Sequence, residues 1–123
     1  MLVPSGNGAS LVICGTCRAL SGAAGGGAAL LAALRAAAGA DDVAVESMPC
    51  LWSCGQGASV QLRAPGKTIY VMGGFDIGAA GDLLAFARAY AASDDGEVPF
   101  DQWPAGVLGH FIARVPPAGM LVG

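Results

Sequence analysis

The chain has 123 residues, 12 % of them charged, and a formal net charge of -3, which suits one domain around a single core and offers no basic patch for a nucleic-acid backbone. Mean hydropathy is +0.60, but the uncharged run from Ala19 to Leu34 is mostly Ala, Gly and Ser and falls short of the ~20 apolar residues that cross a bilayer. The opening "MLVPSGNGAS" lacks both the basic region and the apolar stretch of a secretion signal, so a cytoplasmic protein with no membrane span is expected.

"SLVIC", Ser10 to Cys14, is a short apolar run of the kind a buried strand makes. After the small-residue stretch "SGAAGGG", the segment Ala28 to Ala38 places Leu30, Leu31 and Leu34 on one helical stripe. Its start is predicted after the glycine triplet, and Gly39 is the expected C-cap. "DVAVES", Asp42 to Ser47, alternates Val43 and Val45 and completes a βαβ unit, which places its two strands parallel. "ASVQLRA" and "KTIYVMG" then predict an antiparallel hairpin turning at Pro65 and Gly66. From Ile77 to Ala92 a second stripe runs through Leu83, Leu84, Ala87 and Tyr90, with Asp76 as N-cap. The order is β-α-β-β-β-α in a single domain spanning 1–123. Residues 93–123 carry four of the seven prolines and read as an extended C-terminal arm whose Phe100, Trp103, Leu108, Phe111 and Ile112 must rest on something.

All four cysteines stand in two short stretches, "CGTC" (Cys14, Cys17) and "CLWSC" (Cys50, Cys54). In the predicted topology both follow the C-terminal ends of neighbouring parallel strands, the functional edge of an open α/β sheet. In a reducing compartment two structural disulfides are disfavoured, which leaves three uses for four converging thiolates. One is a [2Fe-2S] cluster, with backbone N–H groups at Gly15, Gly55 and Gly57 near the sulfurs and Arg18, Arg63 or Lys67 as candidate cations favouring reduction, although Arg63 and Lys67 read first as solvated surface groups. A second is a single zinc or cobalt ion. The third is a dithiol oxidoreductase, but a helix beginning only after the glycine triplet leaves "CGTC" without the dipole that lowers a thiol pKa.

The order of elements, with a cysteine pair after each of the first two strands, resembles the thioredoxin-like [2Fe-2S] ferredoxins. "VICGTCR", "MPCLWSCGQG", "PGKTIYVMGG", "FARAY", "SDDGEVPF" and "IARVPP" are similar, over nearly the whole chain, to a small bacterial family of predicted metal-binding proteins encoded near genes for cobalamin biosynthesis and metal-chaperone GTPases. The resemblance implies that Cys14, Cys17, Cys50 and Cys54 hold one centre in a homodimeric, non-enzymatic electron carrier. Its partners would then be a reductase, an acceptor enzyme or a metallochaperone GTPase. The two-residue gap between Cys14 and Cys17 is narrower than in the better-known ferredoxins, which keeps a single metal ion open. Trp103 stands where the smaller family often has Arg, so no role of that Arg transfers.

Other residues carry less. His110, the single histidine, reads as a surface or hydrogen-bonded group, and Met48 and Met72 as core filling. Trp52, between two of the cysteines, reads as a shield for the centre, a flat surface for a partner, or a side chain that packs locally. "GGFD" lacks the spacing and the Lys of a phosphate loop, and no Ser/His/Asp set argues for hydrolysis.

Overall fold

The computed structural model describes residues 8–15, 25–39, 43–49 and 57–121. The chain runs β1 (Ser10–Cys14), α1 (Gly26–Ala37), β2 (Ala44–Met48), β3 (Ala58–Arg63), β4 (Ile69–Phe75), α2 (Ala80–Ala92) and β5 (Phe111–Val115), with 3-10 turns at Ile77–Ala79 and Phe100–Gln102. One sheet takes the order β2-β1-β3-β4-β5, parallel between β1 and β2 and antiparallel elsewhere. With α1 lying on β1, β2 and β3 and touching α2, this is a thioredoxin-like α/β fold. Among the described residues no helix is long and apolar enough to cross a membrane.

β1 lies between β2 and β3, so all five of its residues are buried, which is why "SLVIC" is apolar without alternation. Leu11, Ile13, Leu62 and Met72 from the sheet join Leu30, Leu34, Leu83 and Phe86 from the helices in one core, each large side chain contributing about 1.5–3 kcal/mol of burial. The β3–β4 hairpin turns as expected at Pro65 and Gly66, closed by Lys67 N–H donating to the Ala64 carbonyl at 3.2 Å. Gly66 has φ 73 there, a conformation that a side chain disfavours.

Three expectations need correction. α1 begins inside the glycine triplet, entered through Gly25 at φ 87 and with Gly27 buried, because tertiary packing overrides the weak helix propensity of glycine. Its C-terminus is closed by Ala38 in extended conformation, whose N–H reaches the Leu34 carbonyl, and not by a left-handed Gly39. Met48 is no core residue. It ends an edge strand and is 40 % exposed. Asp76, by contrast, is a cap, accepting from Gly78 N–H at 2.9 Å on the 3-10 turn that leads into α2.

The C-terminal arm lies along β4 as the fifth strand, and "SDDGEVPF" is the corner that aims it. Ser93 Oγ accepts from Gly96 N–H at 3.1 Å, and Asp95 Oδ1 accepts from Glu97 N–H at 2.9 Å, which holds the Asp95 carboxyl below its usual range. Gly96, at φ +83, leaves no room for a side chain, since a Cβ would lie 2.7 Å from Tyr90 Cε2.

Tyr90 is buried and donates its hydroxyl to the Thr68 carbonyl at 2.5 Å. Burial pushes this hydroxyl up to about 12. An unfolded chain would lose the same proton near ~10, so the group's contribution is full below pH ~10 and declines as pH rises toward the folded value. Tyr90→Phe should therefore cost about 1–2 kcal/mol at neutral pH, where the Thr68 carbonyl loses its donor. It should also flatten the alkaline loss of stability. Urea midpoints at pH 7, 9 and 11 check this, and parallel pH curves for both proteins would refute it.

Candidate functional site

The parallel pairing of β1 with β2 sets Cys14 beside Met48. The ladder continues one step further, with Gly15 N–H donating to the Met48 carbonyl at 3.0 Å. Cys14 is fully buried, and its Sγ lies 3.8 Å from the Pro49 carbonyl oxygen, within reach of a weak S–H donor. Pro49 is the residue bonded to Cys50. The segment carrying Cys50 and Cys54 leaves β2 at Pro49 and re-enters the sheet at Gly57, just before β3, whose Val60 pairs with Ile13 of β1. The segment carrying Cys17 leaves β1 at Gly15 and re-enters at the start of α1. Both cysteine-bearing segments thus open from one end of the sheet, on strands about 4.8 Å apart.

Cys17, Cys50 and Cys54 lie outside the described residues, as do Arg18, Trp52 and Gly55. Among the described residues no three His, Cys, Asp or Glu side chains gather as a metal-holding group. The demand that a shared thiolate centre places on the fold is that the two segments leave the sheet side by side, and the β1–β2 register meets it. Four thiolates, were these segments to bring them together, would have the chemistry to hold an iron–sulfur cluster or a zinc or cobalt ion.

The structure decides between the two readings of Arg63 and Lys67 in favour of groups away from the site. Arg63 pairs with Ser10 at the opposite end of β1, about 13 Å along the strand from Cys14. Lys67 stands in the hairpin turn at that far end, its Nζ 3.0 Å from the Ala91 carbonyl at the C-terminus of α2. It neutralises a helix end. Neither cation serves the cysteine end. The Gly15 N–H is also spent, on Met48, so it is not a donor to sulfur. Gly57 has φ 88 at the entry to β3, which accounts for its identity by backbone conformation alone.

His110 stands at the same end of the sheet, preceding β5, where Nδ1–H donates to the Gly73 carbonyl at 2.9 Å and the ring stacks on Phe75 at 4.5 Å. The sequence reading of a hydrogen-bonded histidine holds. Its place at the cysteine end was not legible, because it depends on β5 lying against β4.

Set against known proteins, the chain matches no curated protein and no solved structure. Residues 11–117 match DUF1636, described as a protein of unknown function. The match covers both cysteine pairs and every strand from Leu11 through β5, and on that extent the chain belongs to the DUF1636 family.

Proposed function

We propose that this protein is an electron carrier of the [2Fe-2S] ferredoxin type, its centre held by Cys14, Cys17, Cys50 and Cys54. The observation that carries the proposal is the β1–β2 register, which sets Cys14 beside Met48 and its Sγ 3.8 Å from the Pro49 carbonyl. When bound, such a cluster takes up and releases one electron at a time. The chain's own residues do the rest. β1 and β2 bring the two thiol-bearing segments to one place, and burial of Cys14 keeps water from one side of it. Among the described residues, Arg35, Arg63, Lys67, Arg88 and Arg114 all stand toward the other end of the sheet or of a helix. Plant-type clusters are low-potential donors, and of the candidate cations only Arg18, outside the described residues, is left to offset their negative charge. Such a donor suits reductive steps like those of cobalamin assembly, the pathway the family resemblance suggests, in a cytoplasmic homodimer that depends on a reductase.

The two-residue gap between Cys14 and Cys17 supports a second reading, in which the same four thiolates hold one zinc or cobalt ion for delivery with a GTPase partner. Anaerobic purification followed by visible absorption and assays of iron, acid-labile sulfide, zinc and cobalt separates the two. A coloured protein with iron and sulfide in equal amount is the expected result. A colourless protein with one equivalent of zinc or cobalt would replace the first reading with the second.

A further inference from the structure

Among the described residues, the end of the sheet that carries Cys14 is also where exposed apolar side chains stand with carboxylates that no cation accompanies. Met48 at the end of β2, Ile77 after β4 and Leu108 before β5 are 40 %, 60 % and 39 % exposed. Five strands span about 19 Å from edge to edge, so all three fit within one interface patch of standard size, about 800 Å² on each partner. Asp76 is exposed at this end, and Asp82 lies in the first turn of α2, where its Oδ2 accepts from Gly106 N–H at 2.9 Å. Between Asp76 and His110 the surface sinks into an open hollow of about 400 Å³, lined also by Phe75, Gly78 and Gly106.

The charges elsewhere are arranged differently. Asp94, Asp95 and Glu97 follow α2 at the far end, where Lys67 and Arg114 accompany them and Arg114 bridges Glu97 at 3.2 Å. The acidic character of the far end is thus compensated, while among the described residues that of the cysteine end is not.

We infer that this end of the sheet is the docking face for a basic partner protein, one of whose Lys or Arg side chains enters the hollow beside Asp76 while apolar groups meet Met48, Ile77 and Leu108. Charge complementarity selects the occupant. The described residues of this rim carry Asp76 and Asp82 and no cation, so they repel an acidic surface and steer a basic one, and the hollow admits the aliphatic stem of Lys or Arg beside the His110 ring with the charged head at the carboxylate. The inference rests on the electron-carrier reading for its purpose, since docking at this face brings a partner next to the proposed centre.

Cytochrome c, a small basic protein, serves as the probe. Its binding to the full chain is measured at low and moderate salt, beside Asp76→Asn, Asp94→Asn and Ile77→Ser. Asn at 76 retains an oxygen for the Gly78 N–H, so the cap survives the loss of charge. Asp76→Asn should weaken binding about fivefold at low salt and less at moderate salt. Asp94→Asn, which changes net charge identically at the far end, should weaken it less than twofold. Ile77→Ser should weaken it about threefold at both salt concentrations. Equal effects of Asp76→Asn and Asp94→Asn, or no binding by the unaltered chain, would overturn the inference. Metal content assayed on the same samples reports the centre separately, so a chain that docks without iron and sulfide defeats only the electron-carrier reading.

Discussion

Replacing Cys17, Cys50 or Cys54 by Ser is expected to remove most of the bound iron and sulfide, or of the single metal ion, while leaving the far-ultraviolet circular dichroism close to that of the unaltered chain. A thiolate is the ligand that soft metal centres require, and a serine hydroxyl does not ionise to replace it at neutral pH. Loss of one of four ligands should lower metal retention by about a hundredfold or more, exceeding the roughly 10–100-fold that outer-shell changes produce. The fold should survive because its core does not depend on the centre: Leu11, Ile13, Leu30, Leu34, Leu83 and Phe86 pack together from strands and helices that do not contain Cys17, Cys50 or Cys54. Small zinc modules behave differently, since they unfold without metal. Cys14→Ser should be the exception in stability. Cys14 is fully buried at the end of β1, so a hydroxyl there costs about 1–3 kcal/mol even in metal-free protein. The checks are metal and sulfide assays, visible absorption, and urea unfolding with and without metal. Full metal retention in any two of the Cys17, Cys50 and Cys54 variants would remove the shared centre from consideration.

The sequence made β1, the β3–β4 hairpin and α2 legible because each depends on local rules: an unbroken apolar run, a Pro-Gly turn and an amphipathic stripe. The start of α1 was not, since Gly26 and Gly27 are poor helix formers and only the burial of Gly27 against the core explains their helical state. β5 was hidden for a related reason. "FIARV" lies among glycines and prolines, and most of its residues are exposed on an edge strand, so neither alternation nor continuous burial marks it. The candidate cations illustrate a different rule. Arg63 is nine residues from Cys54 in sequence, yet β3 starts at the cysteine end and runs away from it, so its last residue lies beside Ser10. Direction of travel along a strand, more than sequence separation, decides which charges meet the site.

Trp103→Ala is expected to lower stability by about 3 kcal/mol and to loosen β5 before the rest of the sheet opens. The indole stacks on Phe111 with ring centroids 4.1 Å apart and meets Phe86 and Tyr70 edge-on at 5.9 and 6.4 Å. Its Nε1–H donates to the Val98 carbonyl at 2.9 Å. Removing a large aromatic from a packed cluster costs about 3–5 kcal/mol when it is fully buried, and Trp103 is half-buried, which places the loss at the low end. β5 is the element most exposed to that loss. It pairs only with β4 within the sheet, its register shifts between Val71 and Met72, and Phe111 is its single residue that is not exposed. The Trp103–Phe111 stack therefore anchors a strand whose other side chains bury little, and removing it should let the β4–β5 ladder exchange amide hydrogens by local opening. Trp103→Phe separates the contributions: a phenyl ring retains much of the stack but not the bond to Val98, so a loss of about 1 kcal/mol is expected. Urea unfolding gives the stabilities, and hydrogen exchange at Gly73, whose N–H is held by the His110 carbonyl at 2.9 Å, reports the strand. Unchanged protection at Gly73 together with a full loss of stability would mean that the indole supports the α2 side of the core and not the fifth strand.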